Sequence, residues 1–200
     1  MDHSPNRDNR GGQAVFIDRD GTLNEEVGYI TDPSQFRLYD YAAEAVRRLH
    51  EAGWRVIVLT NQSGVARGYF TEDFLRGIHM KMEESLRLQG ARIDAIYYCA
   101  HHPEFGPPAY RLDCDCRKPK TGLIERAAAD FDLSLRECFV IGDRYRDVEM
   151  GQAVGARSVL VMTGHGRKEY EAEHRDWPRQ PEHVAENLLS AVEWVLGRER

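Results

Sequence analysis

Ala14-Val15-Phe16-Ile17 runs directly into Asp18-Arg19-Asp20-Gly21-Thr22. A short β-branched and aromatic run that stops at charged residues and a glycine reads as a buried strand ending in a loop. Side chains alternate along a strand with a period of two, so Asp18 and Asp20 can project toward the same space. One carboxylate can attack while the other handles protons, which is what splitting a phosphate monoester through a covalent intermediate requires. Alone, the pair reads more readily as a solvated turn, and the rest of the chain overturns that reading.

The rest of the chain repeats the strand-then-helix pattern. Ala42 to Ala52 places Ala45, Val46, Leu49 and Ala52 on one helical face, with Gly53 as its stop. Arg55 to Leu59 predicts a second strand. Thr71 is placed to cap a helix whose buried stripe is Phe74, Leu75, Ile78, Met82 and Leu86. Strands follow at Ile93–Tyr98, Cys138–Ile141 and Ser158–Val161, with a helix over about Thr121–Phe131 and a closing helix over Val184–Leu196. Such alternation predicts an α/β, Rossmann-like fold: a parallel sheet with helices on both faces. Ligands bind such sheets at the carboxyl ends of the strands. Asp18, Thr60 and Asp143 all fall there, so one cleft can collect them.

Two hundred residues, 42% hydrophobic and 30% charged, suit one globular domain over residues 13–200, with residues 1–12 as a polar, disordered lead-in. The balance of 27 basic against 33 acidic residues leaves no basic footprint for nucleic acid. No apolar stretch reaches membrane-spanning length and no secretory signal is visible, so a cytoplasmic monomer without membrane or nucleic-acid partners is expected.

Three further segments stand in order behind the first: Val56-Ile57-Val58-Leu59 into Thr60-Asn61-Gln62-Ser63-Gly64, then Arg117-Lys118-Pro119-Lys120-Thr121-Gly122, then Phe139-Val140-Ile141 into Gly142-Asp143-Arg144-Tyr145-Arg146-Asp147. Together the four resemble the motifs of the haloacid dehalogenase (HAD) phosphotransferase superfamily, over about Ala14 to Val161. The resemblance implies Asp18 as nucleophile forming an aspartyl-phosphate, and Asp20 as the acid that protonates the leaving oxygen and later the base for water. It implies Lys118 and Thr60 as stabilisers of phosphoryl charge. It implies Mg²⁺ held by Asp18, the main-chain carbonyl of Asp20, and Asp143, with Asp147 in support. A divalent ion is needed because an anionic carboxylate must approach an anionic phosphate.

Cys99-Ala100-His101 and Cys114-Asp115-Cys116 supply three thiols and an imidazole, a donor set that suits a closed tetrahedral zinc site. Disulfides compete as a reading, but a Cys114–Cys116 bridge would be strained. Cys138, inside an apolar strand, reads as core, and His102 as an ordinary loop residue. A zinc clip ending one residue before Arg117 would be structural, holding Lys118 at the cleft. Gly21 to Tyr41 is too short for an inserted domain, so no cap domain is expected, and the zinc-binding loop fills the other insertion slot. An uncapped scaffold with CxH…CxC resembles two groups within the superfamily, the heptose 1,7-bisphosphate phosphatases and the histidinol-phosphate phosphatases. The long stretch between His101 and Cys114, with Asn24 to Ile30, looks more like the first, whose activity implies a step toward nucleotide-activated heptose for lipopolysaccharide. That resemblance implies sugar-bisphosphate contacts from Glu26, Val27, Gly28, Tyr29, Asn61, Gln62, Ser63, Arg117 and Arg144, the last replacing a lysine. A zinc-stabilised binding protein without catalysis is the reading from a different class.

Overall fold

In the computed structural model, which describes residues 12–198, β1 (Ala14–Ile17) lies at the centre of one six-stranded sheet. It pairs in parallel with β2 (Arg55–Asn61) on one side and β4 (Phe139–Gly142) on the other. β3 (Ala95–Cys99) extends the sheet beyond β2, and β5 (Arg157–Val161) and β6 (His183–Ala185) extend it beyond β4. The order 3-2-1-4-5-6, parallel throughout, is that of a doubly wound sheet. Its topological switch point lies beside β1, where the chain reverses the direction in which it adds strands.

Strand alternation sorts the core into two faces. Val15, Ile17, Val56, Val58, Phe139 and Ile141 pack with α1 (Ala42–Glu51), part of α2 (Glu72–Arg87) and α6 (Leu188–Gly197). Ala14, Phe16, Ile57, Leu59 and Val140 pack on the other face with α3 (Gly122–Phe131) and Met150 of α4 (Tyr145–Ala153). Every residue of β1 and β4 is buried, as a strand covered on both faces must be. Thr71 caps α2 through its side chain, accepting from the Phe74 amide. Gly53 turns the chain after α1 with φ +88°, a left-handed conformation that favours glycine.

Several boundaries differ from the sequence expectation. The closing helix begins at Leu188, after an Asn187 cap, because His183–Ala185 forms the edge strand β6. α4 and α5 (Gly166–Glu173) are further helices that apolar periodicity does not announce. Gly151 sits inside α4 because any Cβ there would collide with Ser158 and crowd Val140. Residues 1–11 of the expected lead-in lie outside the described residues, whereas Gly12 is buried and its carbonyl accepts the Ser134 amide. No inserted cap domain is present among the described residues. The chain between β1 and α1 is a loop with one short 3-10 turn at Pro33–Gln35, and the segment between β3 and α3 carries the cysteines. No helix among the described residues is long and apolar enough to cross a membrane.

Candidate active site

The carboxyl ends of β1, β2 and β4 open into a cleft of about 330 Å³. Asp18, Asp20, Thr60, Asn61, Gln62, Ser63, Lys118, Asp143 and Arg144 all line it, together with Glu26, Gly28, Tyr29 and Arg117. The first and fourth motifs arrive on neighbouring strands, and the amide of Asp18 donates to the carbonyl of Ile141 at 2.9 Å. Lys118 arrives on the segment between β3 and α3. Its main chain is clamped to the end of β2 by a reciprocal pair: Asn61 Nδ2 donates to the Lys118 carbonyl and the Lys118 amide donates to Asn61 Oδ1, both at 3.1 Å.

Lys118 is buried, and its Nζ lies 2.7 Å from Asp18 Oδ1, 2.6 Å from Asp147 Oδ1 and 2.8 Å from the Leu59 carbonyl. Burial opposes the charged ammonium, but Asp147 and Asp18 outweigh it and hold the Lys118 pKa above its ordinary value. Burial raises the Asp18 carboxyl to about 6 against the pull of Lys118, with Asp147 and Asp20 adding to the rise. Asp143 is raised too, by burial first and then by Asp18 and Asp147. One lysine is therefore insufficient for three converging carboxylates.

Oxygen atoms of Asp18, Asp143 and Asp147 lie within 4.8 Å of one another. Asp143 Oδ2 accepts the His165 amide at 2.8 Å, while its buried Oδ1 has no hydrogen-bond partner. A Cβ on Gly21 or Gly164 would collide with the Asp143 carboxylate, so both glycines keep this space open. Buried, like-charged oxygens with an unpartnered acceptor fit a hard divalent cation with oxygen ligands. Asp147 also caps α4, its Oδ2 accepting the Arg144 amide at 3.2 Å.

Asp20 faces different partners. Its carboxylate accepts from Arg19 Nη2 at 2.8 and 2.9 Å, from Asn24 Nδ2 at 3.0 Å and from Gln62 Nε2 at 2.8 Å. Burial works against its ionised form, yet the Arg19 charge and these hydrogen bonds prevail and hold its pKa below the ordinary value. Two carboxylates two residues apart thus keep different company, Asp18 beside Lys118 and Asp20 beside Arg19. Gln62 also donates to Thr60 Oγ1 at 2.8 Å, tying the Thr60 hydroxyl to the same network.

Behind Lys118 the four remaining donors converge. Cys116 Sγ lies 3.2 Å from Cys114 Sγ and 3.4 Å from His101 Nδ1, and Cys99 Sγ lies 3.5 Å from Cys114 Sγ and 3.9 Å from His101 Nδ1. A tetrahedron built on Zn–S bonds of about 2.3 Å has edges of about 3.8 Å. The observed separations approach that figure, and none of the cysteines forms a disulfide. The loop reaches the cleft through Arg117, whose Nη1 donates to the His101 carbonyl at 3.3 Å.

Comparison with known proteins agrees with this geometry. Residues 115–191 match the HAD-hydrolase-like family model. A D-glycero-D-manno-heptose-1,7-bisphosphate 7-phosphatase of Thermosynechococcus vestitus is 41% identical over 186 residues, covering 91% of this chain and 94% of the relative. The D-glycero-beta-D-manno-heptose-1,7-bisphosphate 7-phosphatase of Pasteurella multocida is 38% identical, covering 92% and 97%. The chain belongs to the heptose-1,7-bisphosphate 7-phosphatase family of HAD-like hydrolases. The crystal structure of D,D-heptose 1,7-bisphosphate phosphatase from B. bronchiseptica, complexed with magnesium and phosphate, superposes with a TM-score of 0.83 at 32% identity, covering 94% of this chain and 99% of the other. Enzymes of this family are phosphoric monoester hydrolases, and HAD phosphatases use Mg²⁺.

Within this family frame, the residues expected at the sugar separate into two groups. Glu26, Gly28 and Tyr29 line the cleft, with Glu26 Oε1 accepting the Gly28 amide at 2.5 Å, whereas Val27 is exposed and outside the lining. Arg144 lies at the wall with its Nε 2.9 Å from Glu169 Oε1. His102 stays on the cysteine loop, bonded to Arg67 Nη2 and the Glu104 amide, and is not among the lining residues. Arg67, Arg146 and His165 also line the cleft and escaped the sequence reading. Arg67 follows the second motif closely and Arg146 lies inside the fourth, so each was within reach of a motif-based search. His165 carries no such signal.

Proposed function

We propose that this chain is a Mg²⁺-dependent phosphatase that removes the C7 phosphate of D-glycero-D-manno-heptose 1,7-bisphosphate through an aspartyl-phosphate on Asp18. The observation that carries the chemistry is the convergence of Asp18, Asp20, Thr60 and Lys118 in one cleft, with Lys118 Nζ 2.7 Å from Asp18 and Gln62 bridging Asp20 and Thr60. Asp18, beside Lys118, is placed to attack phosphorus. Asp20, held by Arg19, Asn24 and Gln62, is placed to exchange a proton with the leaving oxygen and then with the hydrolytic water. Lys118 and the Thr60 hydroxyl are positioned to stabilise charge on the phosphoryl oxygens. Asp18, Asp143 and the main-chain carbonyl of Asp20 would hold the Mg²⁺, with Asp147 in support, and the ion would offset repulsion between carboxylate and phosphate.

The substrate assignment rests on family membership together with the cleft's charge. Arg67, Arg117, Arg144 and Arg146 line it in addition to Lys118, more cationic charge than one phosphoryl group requires. A second phosphate on the ligand accounts for that surplus. Cys99, His101, Cys114 and Cys116 would hold a structural Zn²⁺ that stiffens the loop presenting Arg117 and Lys118. Phosphate release from heptose 1,7-bisphosphate, histidinol phosphate and a simple aryl phosphate tests this reading. The heptose ester should show the highest kcat/KM by at least tenfold. Preference for histidinol phosphate would contradict the substrate assignment.

A further inference from the structure

His79 occupies a position on α2 where the helix otherwise buries Leu75, Ile78, Met82 and Leu86. It is only 7% exposed, and among the described residues its hydrogen-bond partner is Arg19, whose Nη1 lies 3.2 Å from His79 Nε2. Arg19 is itself 2% exposed. A guanidinium offers only donors and does not deprotonate in proteins, so His79 Nε2 is the acceptor and its ring proton sits on Nδ1. The opposite edge of the same guanidinium faces Asp20, with Nε at 3.1 Å from Oδ1 and Nη2 at 2.8 Å from Oδ2.

We propose that His79 is a positioning residue for proton transfer: it anchors one edge of the Arg19 guanidinium, so that the other edge fixes the Asp20 carboxylate at the cleft. This rests on the reading of Asp20 as the acid–base group. Arg19 and Asp20 are sequence neighbours, so their ion pair alone can swing as a unit and fixes nothing. The guanidinium is a rigid plane, and restraining one edge sets the direction of the other. With Asn24 in the loop after β1 and Gln62 at the end of β2, α2 completes a three-point hold on the Asp20 carboxylate. A neutral imidazole suits the task better than a carboxylate would. It accepts a hydrogen bond from Arg19 without competing with Asp20 for the cation. Burial and the Arg19 charge depress the His79 pKa to about 3, so the ring stays a neutral acceptor at physiological pH.

The test compares His79→Leu, which keeps the apolar fit but removes the acceptor, with His79→Gln, whose amide oxygen can replace Nε2. Proton donation matters for an alkoxide leaving group and little for an activated aryl one. For His79→Leu, kcat/KM on heptose 1,7-bisphosphate should fall about tenfold or more, and on p-nitrophenyl phosphate less than about threefold. Inhibition by inorganic phosphate should be unchanged, and His79→Gln should recover most of the loss. Full retention by His79→Leu, equal losses on both substrates, or no recovery in a folded His79→Gln protein would overturn the proposal. Nitrogen NMR on the wild-type imidazole tests the geometry without any variant. A protonated Nε2 would overturn the proposal, and the Nδ1–H tautomer is expected. Asp20→Ala separates the two levels: if that variant keeps normal turnover of the heptose ester, the acid–base reading itself fails, whatever His79 does.

Discussion

Replacing Lys118 with Met should push activity and metal affinity in opposite directions. Met is unbranched and of similar length, so the buried stem remains filled. What disappears is an ammonium 2.7 Å from Asp18, 2.6 Å from Asp147 and 2.8 Å from the Leu59 carbonyl. Breaking a buried pair from one side costs about 3–5 kcal/mol, because the partner charge is left uncompensated. The metal-free variant should therefore be destabilised by about that much in denaturant titrations. Loss of a cation that stabilises developing phosphoryl charge is worth about 2.7–4 kcal/mol, so kcat should drop roughly 10²–10³-fold at saturating Mg²⁺. The same deletion leaves Asp18, Asp143 and Asp147 without their balancing cation. Even in bulk water a pair of unit charges 4 Å apart interacts by about 1 kcal/mol, so Mg²⁺ binding should tighten at least about fivefold. Calorimetric Mg²⁺ titration, run beside steady-state kinetics, measures both. Weaker Mg²⁺ binding together with kcat within threefold of wild type would refute the electrostatic role assigned to Lys118.

Three other perturbations address separate parts of the site. Purified protein should contain about one zinc, as a single four-ligand site requires, and Cys116→Ser should lose it along with most activity that added Mg²⁺ does not restore; elemental analysis and assay of both proteins decide this. Arg117→Ala should reduce kcat/KM for the heptose bisphosphate by roughly ten- to a hundredfold through loss of a charge-assisted contact, while an aryl phosphate is turned over nearly as before. His79, whose pKa falls from an ordinary 6.5 to about 3 on folding, should make stability pH-dependent. Above pH 6.5 both states hold it neutral. As pH falls toward 3, only the unfolded state gains the proton, at about 1.4 kcal/mol per pH unit. The stability gap between wild type and His79→Leu, measured by denaturation, should therefore shift in favour of the variant by about 1–2 kcal/mol between pH 7 and pH 5.

The central fold was legible because its strands are buried on both faces. Runs such as Val56 to Leu59 and Phe139 to Ile141 are apolar without interruption, and each ends abruptly at polar residues. Those endings place Asp18, Thr60 and Asp143 together at one end of the sheet, and the cysteine spacing brings Cys99, His101, Cys114 and Cys116 into one cluster. Elements with little apolar content were not legible. α5 reads GRKEYEAE and buries only Gly166, so no stripe marks it. β6 is three residues long and took the appearance of a helix start because α6 follows so closely. His79 fits the buried stripe of α2 by spacing, but its polar partner is sixty residues away in sequence, at Arg19. Arg67, just past the second motif, and Arg146, in the first turn of α4, line the cleft beside residues that the motifs did mark.

Phosphorus NMR of purified enzyme with Mg²⁺ and D-glycero-D-manno-heptose 1,7-bisphosphate tests the central claim most directly, run with wild type and with Asp18→Asn. Asn keeps the shape of the Asp18 side chain and removes its charge. Wild type should convert the C7 phosphate resonance to inorganic phosphate and leave the C1 resonance intact, while Asp18→Asn remains folded, retains its zinc and leaves both resonances unchanged. Loss of the C1 phosphate, no turnover by the metal-replete wild type, or near-normal turnover by Asp18→Asn would contradict the account.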